Sequence, residues 1–150
     1  MMTSLLILAA AIANPIAQVP LRPWAPLVGH CWVGNAPGDS GTDKHCFETV
    51  YGGQHVRDRH VVTVGGRDVY AGETLYSAKG AGVIFTYWNS LGGLGTGTAA
   101  VSGEEWRFNG TIHATSTGPE QPMSAVWKIV PDGYEVIAKD APPRLFKRGD

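Results

Sequence analysis

Apolar and polar residues alternate in short runs along this chain, and no run keeps the period of a long amphipathic helix. The clearest case is Val83-Ile84-Phe85-Thr86-Tyr87-Trp88, whose alternation suits a strand with one face buried. β-Branched and aromatic residues are grouped between Gly- and Pro-bearing breaks, the pattern of short strands joined by tight turns. It predicts strands over 27–33, 43–51, 55–64, 69–77, 82–88, a Gly/Thr/Ala-rich stretch ending at 101, 105–115, 124–130, 134–139 and 144–148. Gly52-Gly53 reads as a two-residue hairpin turn, because both positions can take positive φ. Gly65-Gly66-Arg67-Asp68, Ala78-Lys79-Gly80-Ala81 and Pro131-Asp132-Gly133 mark further turns. About nine or ten strands in sequential hairpins predict an all-β, antiparallel, up-and-down barrel, since closure removes the exposed edges of an open meander. A β-sandwich is the alternative architecture.

The N-terminus changes the picture. Met1-Met2-Thr3-Ser4 leads into an uncharged apolar run, 5–13, too short to span a bilayer as a helix, and small residues follow. This is the pattern of a signal peptide over 1–17, with cleavage after Ala13 or after Ala17. The run has no preceding Lys or Arg, so a retained anchor or a first helix of the domain are the competing readings. Segment 18–26 carries Pro20, Pro23 and Pro26 and reads as a linker, with the barrel domain over 27–150. The expected location is periplasmic or secreted. Twelve Lys and Arg against 13 Asp and Glu leave no basic face for nucleic acid and no polybasic membrane-binding segment. The partner to expect is a small molecule. Oligomeric state has no signature in the sequence.

The candidate chemistry gathers around two His-Cys pairs, Gly29-His30-Cys31-Trp32 and Lys44-His45-Cys46-Phe47, on either side of a turn-rich stretch. A hairpin folded about Gly38 places Cys31 opposite Cys46, within the spacing a disulfide spans. In an exported chain the disulfide is the preferred reading, against two buried thiols or a Cys2His2 zinc site. Adjacent strand residues point to opposite faces, so His30 and Cys31 cannot both ligate one ion without distortion. The Gly52-Gly53 register sets His45 opposite His60, with His30 diagonal to His45. His30, Trp32, His45, Phe47, Asp58 and His60 would then share one face, inward if Trp32 and Phe47 are core, and a one-residue slip would reverse it.

Two readings of that face compete with ordinary core histidines. With Phe85, Tyr87 and Trp106, it lines a ligand cavity. Alternatively, His30, His45 and His60 hold a transition metal or a haem iron. No resident cofactor is expected from the sequence itself. A hydrolase or isomerase using Asp58 and His60 is a third reading, but no nucleophile-elbow or metalloprotease motif supports it. Binding is therefore expected over catalysis, and no catalytic residue is assigned.

Gly29-x-x-Trp32, Tyr51-Gly52-Gly53, Tyr70-x-Gly72-Glu73-Thr74-Leu75-Tyr76, the segment from Phe85 to Gly93 and the late Trp127 together resemble a lipocalin-like (calycin) barrel family. The chain also resembles a group of exported bacterial proteins of unknown function, over roughly Pro26 to Ile137. Distant similarity extends to nitrobindin-like haem barrels and fatty-acid-binding barrels. The resemblance implies a closed antiparallel barrel with a central cavity and carries no established reaction. The haem barrels place their proximal histidine late in the chain; here the late histidine is His113, without a supporting motif.

Overall fold

The computed structural model describes residues 14–150; the apolar run read as a leader lies outside them. Ten antiparallel strands form one closed barrel: β1 (Cys31–Asn35), β2 (Thr42–Val50), β3 (His55–Val64), β4 (Arg67–Lys79), β5 (Gly82–Asn89), β6 (Gly92–Ser102), β7 (Glu105–Thr115), β8 (Glu120–Val130), β9 (Gly133–Ile137) and β10 (Arg144–Arg148). Each strand pairs with its neighbours in sequence, and β10 closes on β1 through Trp32↔Arg148 and Val33↔Lys147. The barrel, not the sandwich, is the architecture.

The anticipated hairpin registers hold. Cys31 faces Cys46 between β1 and β2, and His45 faces His60 between β2 and β3. The Gly52-Gly53 turn includes Tyr51 and Gln54, with Gly52 and Gly53 both at positive φ. Strand β8 starts at Glu120, four residues earlier than the pattern predicts and across Pro122. Pro122 is tolerated because β9 pairs with β8 only from Val126 to Val130, leaving that stretch one free edge.

Two segments differ from the sequence reading. The Pro-rich stretch read as a linker is a 3-10 helix, Val19–Trp24, with proline at its start, where a missing N–H costs nothing. Leu21 and Trp24 are fully buried, and Trp24 packs 4.9 Å from Tyr76 and 4.6 Å from Trp106 between ring centroids. The segment therefore caps the core rather than tethering it. Strand β1 begins at Cys31 rather than at 27, because Leu27 and Val28 continue the helical turn through hydrogen bonds to the Trp24 carbonyl. Gly29, with φ of 84°, then redirects the chain.

Inward side chains fill one part of the barrel solidly. Phe47, Val56, Trp106, Phe108, Trp127, Tyr134 and Phe146 form a continuous buried cluster with Trp24. Its rings meet edge-on or stacked, as in Trp127 on Tyr134 at 4.9 Å and Tyr134 on Phe146 at 4.9 Å. Among the described residues no helix is long and apolar enough to cross a membrane.

Candidate functional site

Above that aromatic floor the barrel opens into a cavity of about 270 Å³. Strand alternation divides its lining into two chemistries. Phe85, Phe108, Ile112, Met123, Ala125 and Trp127, from β5, β7 and β8, make an apolar wall. Asp43, His45, Asp58, His60, Tyr87 and Arg144 make a polar one. Asp43 and His45 are two residues apart on β2, and Asp58 and His60 two apart on β3, so all four side chains take the inward face.

His45 is held between two carboxylates. Its Nδ1 donates to Asp58 Oδ2 at 2.7 Å, and its Nε2 lies 3.3 Å from Asp43 Oδ1. Burial disfavours the imidazolium, but the Asp58 charge and the hydrogen bonds to Asp43 and Asp58 outweigh it and push the pKa up to about 9. For Asp43, burial favours the neutral acid. Hydrogen bonds from His45 and His60 override it and hold the carboxyl well below its usual range. Asp43 thus collects three donors: His45 Nε2, His60 Nδ1 at 3.0 Å on the same Oδ1, and Arg144 Nη1 at 3.3 Å on Oδ2. Arg144 also donates to the Asn35 carbonyl at 3.1 Å, which ties the closing strand to the site.

The network continues outward. His60 Nε2 lies 3.3 Å from the Tyr87 hydroxyl, which is hydrogen-bonded to the Tyr70 hydroxyl. Burial, followed by the hydrogen bond with Tyr70, raises the Tyr87 pKa well above its ordinary value, so this phenol stays protonated. The rings of His45 and His60 stack at 4.6 Å. Three buried side-chain atoms have no hydrogen-bond partner among the described residues: Asp58 Oδ1, Tyr134 Oη and Trp24 Nε1.

No protein-family model and no curated protein matches this chain. The site must therefore be read from its own geometry.

Of the residues singled out in the sequence, His45, Asp58, His60, Phe85 and Tyr87 meet at the cavity. Trp32, Phe47 and Trp106 are buried in the core beside it and do not line it; the Trp32 indole donates to the Leu27 carbonyl at 3.1 Å. His30 does not join the cluster. It precedes β1, after the Gly29 bend, and its Nδ1 is 3.1 Å from Asp150 Oδ2 near the C-terminus. The position expected for His30 in a three-ligand set is taken by Asp43. Asp58 bonds His45, while His60 takes Asp43. Asp43, Tyr70 and Arg144 are site residues that the sequence reading missed. Asp43 alone had a signal, its two-residue offset from His45.

Cys31 and Cys46 form a disulfide between β1 and β2, with Cα atoms 4.1 Å apart. Cys46 directly follows His45, so the crosslink pins the register that turns His45 inward.

Proposed function

We propose that this protein is an exported small-molecule-binding barrel that takes an apolar or amphipathic compound into its central cavity. The observation that carries the reading is the division of the cavity into an aromatic and aliphatic wall and a polar wall of Asp43, His45, Asp58, His60, Tyr87 and Arg144. A ligand with an apolar body and a hydroxyl or N–H donor would bury the first against Phe85, Phe108 and Trp127 and satisfy the second. The polar wall already pairs Asp43 and Asp58 with His45 and Arg144, so a neutral headgroup enters without leaving a charge unmatched. At about 270 Å³ the cavity suits a compact ligand rather than a tetrapyrrole. The lipocalin-like resemblance and the leader-like N-terminus support the same reading, together with a periplasmic or secreted location in which the disulfide persists.

Titration of the protein with medium-chain alcohols and alkylphenols, read by fluorescence from Trp127 and its neighbours, tests the proposal. Saturable binding is expected, abolished by Ala125→Trp, which fills the cavity from β8. No response to any compound of either series, with the fold intact, would overturn it.

A further inference from the structure

We propose that Asp43, His45 and His60 form a binding site for one divalent transition-metal ion, zinc by preference, at the polar end of the cavity. Among the described residues these three alone bring histidine and carboxylate ligand atoms within 4.8 Å of one another. Asp43 Oδ1 lies 3.3 Å from His45 Nε2 and 3.0 Å from His60 Nδ1. Ligand atoms at about 2.1 Å from a tetrahedral zinc stand about 3.4 Å apart, so both Asp43 contacts need shift only by tenths of an ångström, and the two imidazole nitrogens lie within 4.8 Å of each other.

The surroundings match what a metal site requires of its supporting groups. A ligating histidine donates its other ring N–H to a carboxylate or another acceptor, which orients the ring and raises its basicity. With Nε2 on the metal, His45 keeps Nδ1–H on Asp58 Oδ2 at 2.7 Å. With Nδ1 on the metal, His60 turns Nε2 toward the Tyr87 oxygen at 3.3 Å. Arg144 steadies the non-ligating Asp43 Oδ2. All three ligands sit on β2 and β3, paired strands in which His45 faces His60, and the Cys31–Cys46 disulfide ties β2 to β1 beside them. The fourth coordination position faces the cavity, as in a zinc site that keeps one place for water or substrate. Asp58, which holds His45 through Oδ2, is itself among the residues that line that cavity.

Binding balances as an exchange: the ion enters, the proton on His45 Nε2 leaves to solvent, and the neutral His60 gives up its Nδ1 proton and carries one on Nε2 instead. A divalent ion with two neutral imidazoles, Asp43, Asp58 and Arg144 leaves one net positive charge, which favours hydroxide or an anionic ligand atom in the fourth position. The inference does not rest on the small-molecule reading, because metal binding requires no other occupant.

Untagged, chelator-stripped full chain with its disulfide intact is titrated with zinc chloride by calorimetry, and with Co²⁺ followed by visible absorption. The expected result is one equivalent per chain and the intense bands of four-coordinate Co²⁺. Asp43→Asn and His60→Gln should each weaken zinc by at least about 100-fold, and Tyr87→Phe by about 10-fold. A triple variant, His30→Ala with His55→Ala and His113→Ala, should bind as the parent does. Zinc should raise the melting temperature of the parent and not that of Asp43→Asn, a readout available even if one variant is less stable. Failure to bind, six-coordinate Co²⁺, or binding that survives Asp43→Asn and His60→Gln but falls in the triple variant would each overturn the proposal.

Discussion

Gly72 of β4 is the cross-strand partner of His60 in β3, and a Cβ at position 72 would strike His60 Nε2 and come within 2.7 Å of the Tyr87 hydroxyl. The absence of a side chain here lets the imidazole and the phenol meet over the backbone. Gly72→Ala is therefore expected to displace His60 from Tyr87 and destabilise the fold by about 1–3 kcal/mol, the usual cost of overpacking. Denaturant titration and the Nε2 chemical shift of His60 would show it. An unchanged midpoint and shift would mean that the wall yields at no cost.

Removing the crosslink should act on stability more than on site chemistry. Cys31 and Cys46 are separated by 15 residues in sequence, and opening such a loop costs about 3 kcal/mol in the chain-entropy account. The double variant Cys31→Ser, Cys46→Ser should lower the urea midpoint accordingly, and reductant should do the same to the parent. A midpoint unmoved by either treatment would contradict the role given to the disulfide.

The metal-free protein should have a stability plateau bounded on both sides. The His45 pKa is raised from 6.5 to about 9 on folding, so its contribution is complete below pH 6.5 and is lost as pH rises through about 9. The Asp43 pKa is lowered from 3.8, so its contribution is complete above that pH and fades as pH falls toward the folded-state value. Urea midpoints should be highest between about pH 4 and 6.5 and decline on the alkaline side. His45→Gln should flatten that alkaline decline; a variant with the same alkaline slope as the parent would place the titrating group elsewhere.

Processing after Ala13 is expected in preference to Ala17. The Ala17 N–H donates to the Gly53 carbonyl at 2.9 Å, Thr49 Oγ1 donates to the Asn14 carbonyl, and Ile16 packs on the core. Cleavage after Ala17 would discard these contacts. If the leader proposed above is removed, intact mass of the mature chain decides: a start at Asn14 fits, and a start at Gln18 does not.

The strand order and the His45–His60 pairing were legible in the sequence, because period-two alternation and Gly-Gly turns are local signals that set register directly. The contacts that complete the site are not local. Arg144 reaches Asp43 only because the last strand closes on the first. The register places His30 on the inward face, but β1 begins only at Cys31 and the His30 ring turns to Asp150 instead. Trp24 was obscured for a different reason: prolines that suggest a linker also start a short 3-10 helix, and only the burial of Leu21 and Trp24 separates the two. The closed ten-strand barrel was legible; the polar wall was legible only for the part built from neighbouring strands.

Native mass spectrometry of the chain recovered from its own host is the most direct test of the account, because it weighs ligand, metal and crosslink together. The prediction is a chain lighter by two hydrogens that carries a compact small molecule, released when the cavity is filled by Ala125→Trp. A bare chain of disulfide-bonded mass, from protein never exposed to detergent or chelator, would contradict the claim that this barrel exists to hold a ligand.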